Sequence, residues 1–132
     1  MMADSNEYPD NNPKTQFGVE KCPLHLVPPA GIQAEAWAFQ SGAHKYGPYN
    51  WREKTISSSV YYAATMRHLH AWWNGEDFDL ESGHHHLGHA RACLNMVLDG
   101  AACGKLNDNR PPRVPKDDTG GTSQGQSQAD AD

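Results

Sequence analysis

The chain has no long apolar run, which excludes a helix able to cross a membrane. It has no excess of positive charge: the formal net charge is −5, so no overall basic field is present to hold nucleic acid. Cysteine is sparse. Cys22, Cys93 and Cys103 are an odd number without paired zinc-ligand spacing, which argues for a reduced compartment over a disulfide framework. No secretory leader is legible after Met1, so the expected location is the cytoplasm.

Apolar residues are also scarce at both ends. Residues 1–20 are polar and carry Asn, Asp and Pro, and from Asn107 onward Pro, Asp, Gly, Ser and Gln dominate. Such segments cannot bury enough apolar surface to offset the entropy of ordering them. The expected organisation is a flexible segment over 1–20, one folding domain over 21–104 and a disordered polar tail over 105–132. A core of that size is marginally stable alone, so a homo-oligomer, dimer or tetramer, is expected to complete it.

Within 21–104 the patterning is helical, and the expected fold class is all-α, a small bundle of three to five helices. A first helix is predicted over 31–41 with Gly42 as its stop, and Ile32, Ala36 and Phe39 on one face. Glu35 lies beside that stripe, where a carboxylate needs a partner. Residues 42–56 read as a loop carrying Lys45, Tyr46, Asn50, Trp51 and Arg52. A second helix is predicted from the Ser57–Ser59 run to about residue 74. It is apolar on two sides, with Arg67 on the small-residue side and His68 at its margin.

A third helix is predicted over 82–98, stopped by Asp99 and Gly100. Leu87, Ala90, Leu94, Val97 and Leu98 set its apolar arc. His86 and His89, at i and i+3, fall inside that arc with Cys93, whereas Gly88, Arg91 and Asn95 fall outside. His84 and His85 read as exposed. Two inward histidines beside an acidic connection point to a metal or proton-transfer site. That connection, 75–83, carries Glu76, Asp77, Asp79 and Glu81, and a loop leaves Glu76 and Asp79 free to converge on a cation. Oxygen ligands suit Mg2+ or Mn2+, and added imidazole favours Mn2+ or Zn2+.

In order along the chain stand Gly42-Ala43-X-Lys45-Tyr46-Gly47, Asn50-Trp51-Arg52, Arg67-His68-Leu69, Gly75-Glu76-X-X-Asp79-X-Glu81-Ser82-Gly83 and His86-Leu87-X-His89-Ala90. Together they resemble the phage-type dATP/dGTP diphosphohydrolase family, grouped with the MazG-like all-α nucleoside triphosphate pyrophosphohydrolases. The resemblance covers about residues 20–100. It implies an enzyme that hydrolyses a purine (deoxy)nucleoside triphosphate, dGTP, GTP or dATP, to the monophosphate and pyrophosphate. It implies Mg2+ or Mn2+ as cofactor and an oligomeric bundle. The implied metal set is drawn from Glu35, Glu76, Asp79, His86 and His89, with Glu76, Asp79 and His86 catalytic. Lys45, Arg52 and Arg67 are implied for phosphate, and Tyr46, Asn50 and Trp51 for the base. The chain departs from the wider superfamily in lacking a plain Glu-Glu-X-X-Glu helix followed by a Glu-X-X-Asp helix.

Two alternatives compete. His68, His86, His89 and Asp79 supply the residue types of a histidine/aspartate phosphohydrolase, although the adjacent His-Asp pair of that class is missing. A helical adaptor presenting Trp37, Trp72 and Trp73 is the non-enzymatic reading.

Overall fold

The computed structural model describes residues 8–115. In chain order it has α1 (Pro13–Gly18), a single 3-10 turn at Leu24–Leu26, α2 (Pro29–Tyr46) and α3 (Asn50–Glu53). There follow β1 (Ile56–Ser57), α4 (Ser58–Trp73), α5 (His86–Ala102) and β2 (Leu106–Asn107). The fold is helical as expected. Of the flexible segment expected over 1–20, residues 13–18 are helical, and the boundary expected at 104 falls just before β2. The expectations for residues 1–7 and 116–132 lie outside the described residues.

Three long helices set the architecture. α5 packs against α4 along one side and against α2 along another. Apart from His86, the buried positions along α5 are small: Gly88, Ala90, Ala92, Cys93 and Gly100. Small residues let backbones approach, and Gly88 sits directly against the Ala34 backbone of α2. The expectation that Gly88 points outward is therefore corrected: it is the closest point of the α2–α5 crossing. The facing side of α4 buries Ser58 and Thr65 and half-buries Tyr61, Ala64 and His68.

α2 starts where Pro28 is extended and Pro29 occupies the first turn, a position that needs no amide donor. It does not stop at Gly42, as the sequence predicts, but five residues later, where Gly47 takes φ +88°. The predicted loop 42–56 thus begins as helix, so Lys45 and Tyr46 project from a rigid element. α5 likewise begins four residues later than predicted and runs through Asp99 and Gly100. Its cap is the His85 ring, whose Nδ1 accepts from the Leu87 amide at 3.0 Å.

A two-stranded parallel pair, Ile56 opposite Leu106, joins the start of α4 to the end of α5. Asn109 reinforces it, accepting from the Ser59 amide at 2.9 Å and donating to Ser59 Oγ at 2.7 Å. The buried apolar core is small: Ala38, Trp51, Ile56, Ala90, Ala92 and Cys93. Tyr62, Trp73, Leu80, Leu94 and Leu98 remain exposed. Among the described residues no helix is long and apolar enough to cross a membrane.

Candidate active site

A cavity of about 830 Å³ opens between the C-terminal half of α2, α3, α4 and α5. Lys45 and Tyr46 reach it from α2, Asn50, Trp51 and Arg52 from α3, Arg67 and His68 from α4, and His89 from α5. All six side chains expected to meet phosphate or base therefore line one space. Its size lies in the range of small-molecule sites.

The three cations differ in their commitments. Arg52 forms a two-pronged pair with Asp99 of α5, Nε to Oδ2 and Nη2 to Oδ1, each 2.8 Å. Lys45 Nζ meets Glu81 at 3.2 Å in an exposed pair. Arg67 has no carboxylate partner among the described residues. An exposed ion pair is worth little, so Lys45 is readily released to a ligand. Arg67 has no such pair to give up among the described residues.

Trp51 is buried, and its indole N–H donates to Asp99 Oδ2 at 2.6 Å. Phe39 and Tyr49 pack against its ring. Sequence reasoning offered Trp51 as a stacking face; here it is a fixed wall. Arg52 first and Trp51 second hold the Asp99 carboxyl down at about 2, so it is charged at any physiological pH. The exposed aromatic side chains on the cavity are Tyr46 and Tyr49. Tyr49 has φ +57°, a left-handed backbone that bulky residues avoid.

Of the acid–histidine cluster, His68 and His89 line the cavity's α4–α5 wall, whereas Glu76, Asp79 and His86 are not among its lining residues. The connection 74–85 folds back on itself. The Asp79 amide donates to the His84 carbonyl at 2.8 Å, Gly83 N to the Asp79 carbonyl at 2.7 Å, and His86 N to the Asp77 carbonyl at 2.9 Å. The turn sends its acids in three directions. Glu76 Oε1 meets His86 Nε2 at 2.8 Å. Asp79 accepts the Glu81 amide at 3.0 Å and stands 3.8 Å from His89 Nε2. Glu81 turns to Lys45. His86 is 5% exposed, and its other nitrogen, Nδ1, faces His68 Nδ1 at 2.8 Å. His68 stacks on His89, centroids 4.7 Å apart and planes 8° from parallel. Ser82 Oγ lies 2.7 Å from His89 Nε2.

Burial pushes the pKa of both His68 and His89 down; for His68 the neighbouring imidazolium charges add to it. Asp79 is held below the ordinary carboxylate value. Burial opposes this, but the Glu81 amide and the nearby histidines outweigh it.

The donor types suit a divalent ion, but their arrangement does not. Among the described residues no three His, Cys, Asp or Glu side chains stand so that they could hold one ion. Glu76, His86 and His68 point their polar atoms at one another. Glu35 stands apart: Arg91 Nε donates to it at 3.1 Å and Asn95 at 2.5 Å across the α2–α5 contact. It is the partnered carboxylate its position demands.

The family of the dATP/dGTP diphosphohydrolase N-terminal region matches residues 11–110. The chain belongs to that family. A relative from Salmonella phage PMBT28 named "dATP/dGTP diphosphohydrolase" is 31% identical over 96 residues, 73% of this chain. The chain spans 30% of that relative's length. No solved structure matches.

Five side chains in and around this site have roles that the sequence did not disclose. His68 reads from the sequence as a helix-margin residue and enters a site only in the histidine/aspartate alternative, although it sits in the Arg67-His68-Leu69 motif. Tyr49 had no signal beyond its place beside Asn50-Trp51. Asp99 was read as a helix stop, yet it fastens α3 to α5. His85, read as exposed and idle, caps α5, and His84, also read as exposed, stacks on Trp37 at 5.8 Å.

Proposed function

We propose that this domain binds a purine deoxynucleoside triphosphate in the α2–α5 cavity and hydrolyses it to the monophosphate and pyrophosphate. The observation that carries the reading is the cavity itself, which is lined by Lys45, Arg52 and Arg67, by exposed tyrosines, and by His68 and His89, with Glu76 and His86 bonded in series to His68. The name of the phage relative points the same way. Guanine is the preferred base and dGMP the product, with GTP and dATP the nearest competitors. The role is to shape the nucleotide pool for phage DNA synthesis in the host cytoplasm.

In this reading Arg67 takes the phosphate chain first, because it has no competing carboxylate, and Lys45 joins it by leaving Glu81. Tyr46 contacts the base face, Trp51 backs the pocket, and Asn50 reads the base edge. Arg52 has one nitrogen left over from Asp99 for a phosphate oxygen. Cations fixed before the reaction stabilise charge as it develops on the phosphate oxygens. Water attacks the α-phosphorus, and Glu76, Asp79 and His86 form the group that manages protons there. Mg2+ or Mn2+ belongs to the proposal as the counter-ion that enters with the triphosphate. Because the side chains form no ready seat for it, no step is drawn through it. Exposed Tyr62, Trp73, Leu94 and Leu98 are a surface that a second copy would cover, in keeping with a homo-oligomer.

The test is incubation of the protein with each of the four dNTPs and with GTP, with Mn2+ or with EDTA, resolving products by ion-exchange chromatography. Monophosphate plus pyrophosphate, strongest for dGTP and lost with EDTA, is the expected result. Release of triphosphate would move the protein to the histidine/aspartate class. No turnover of any nucleotide would leave the adaptor reading.

A further inference from the structure

Two of the side chains expected to seat a metal, Glu76 and His86, are instead joined end to end with His68. Glu76 Oε1 lies 2.8 Å from His86 Nε2, and His86 Nδ1 lies 2.8 Å from His68 Nδ1. Hydrogen-bond logic fixes the order of protons along this chain. A carboxylate only accepts, so His86 Nε2 carries the hydrogen and donates it to Glu76. The neutral His86 then presents a lone pair at Nδ1. His68 must therefore donate from Nδ1, which leaves its Nε2 unprotonated. His68 Nε2 has no hydrogen-bond partner among the described residues, and His68 lines the cavity. His86 is buried and lies behind it. The parallel stack on His89 holds the His68 ring in plane.

We propose that Glu76, His86 and His68 form a proton relay in which His68 Nε2 is the general base of the hydrolysis. The proposal rests on the hydrolase reading above and assigns His68, which that reading left without a role. His68 Nε2 takes a proton from the attacking water as its oxygen bonds to the α-phosphorus. The bond from that phosphorus to the bridging oxygen breaks, and its electron pair leaves on pyrophosphate. The Nδ1 proton of His68 passes to His86 Nδ1, and the Nε2 proton of His86 passes to Glu76. Once pyrophosphate has left, the proton returns along the same path from Glu76 through His86 to His68 Nδ1, and His68 releases its Nε2 proton to solvent through the cavity, which restores the starting tautomers. His68 touches the reacting water; His86 and Glu76 set its tautomer, as an orienting partner does for a catalytic imidazole.

The experiment has three arms on the full chain. His68→Ala should lower kcat by about 100-fold or more with KM little changed, the size expected of a lost general base. Added imidazole should restore part of the rate, which no purely structural defect would allow. Nitrogen-15 NMR of the imidazoles should show His86 protonated at Nε2 and His68 at Nδ1, and Glu76→Gln should disturb both assignments while the fold persists. Mn2+ titrated into nucleotide-free protein, followed by its EPR signal, should find no stoichiometric site.

An unchanged kcat in His68→Ala, or the opposite tautomer at His68, would overturn the relay. So would a Mn2+ site abolished by His86→Gln. If the wild-type protein turns over no nucleotide, the hydrolase reading fails and the relay's role as base fails with it. The NMR arm still decides whether the chain is wired in this order.

Discussion

Gly88 of α5 lies so close to the Ala34 carbonyl of α2 that a Cβ at position 88 would overlap it. The obstacle is backbone, which cannot rotate away. Gly88→Ala should therefore cost about 1–3 kcal/mol or more through overpacking. Thermal denaturation should fall by roughly 4–8 °C for each kcal/mol in a domain of this size. Gly42 is the control. It too lies in a helix, but a Cβ there meets nothing within 4 Å. Gly42→Ala should raise stability by roughly 0.5–1 kcal/mol. Equal effects at the two sites would remove the close crossing from the account.

Asp99 fastens α3 to α5, and α3 supplies Asn50, Trp51 and Arg52 to the cavity. Asp99→Ala leaves the buried Trp51 N–H unpaired and frees Arg52. The nucleotide KM should rise about tenfold, the effect of a lost charge-assisted hydrogen bond of roughly 1.5–3 kcal/mol less what Arg52 regains by contacting phosphate directly. A variant with wild-type KM would show that α3 holds its place without the clamp.

The difference between the cations is testable in the same assay. Arg67→Ala should raise KM for a triphosphate by about ten- to a hundredfold, because a charged hydrogen bond is removed with nothing to replace it. Lys45→Ala should cost less, since Lys45 must first give up Glu81. The reverse order would assign the phosphates to the α2 side of the cavity.

The helices were legible because their period is written in apolar spacing, and α4 begins and ends within a residue or two of its expected bounds. The inward direction of His86 and His89 was legible for the same reason. Gly42 misled because a glycine stops a helix only where the backbone needs a positive φ, and that need arises at Gly47. Gly88 misled because it was weighed by hydrophobicity, whereas its value is the absence of a side chain. The divergence of Glu76, Asp79 and Glu81 was not legible. It depends on the backbone hydrogen bonds that fold 74–85 back on itself, and no spacing rule reports those.

The cysteines should separate by access. Cys22 and Cys103 are exposed, while burial within α5 pushes the Cys93 thiol up. A thiol reagent acts through the thiolate, so two groups should react quickly and the third only as the protein unfolds. Three fast groups would mean that the α4–α5 contact opens readily.

Burial lowers the pKa of His68 and of His89, and repulsion from neighbouring imidazolium groups adds to it at both, while Asp79 pulls the other way at both. Arg67 repels a charged His68, and Lys45 a charged His89. Both rings are therefore kept neutral in the folded chain at pH values where an unfolded histidine, with its pKa of about 6.5, already binds a proton. In that window the unfolded state holds more protons, so stability rises with pH and is fully present above about 6.5. Acidification from pH 7 to pH 5.5 should lower the urea midpoint without changing the slope of the transition. His68→Gln cannot charge and should lose part of that pH dependence. If the variant and the wild type weaken equally, the acid sensitivity arises elsewhere than in the stacked pair.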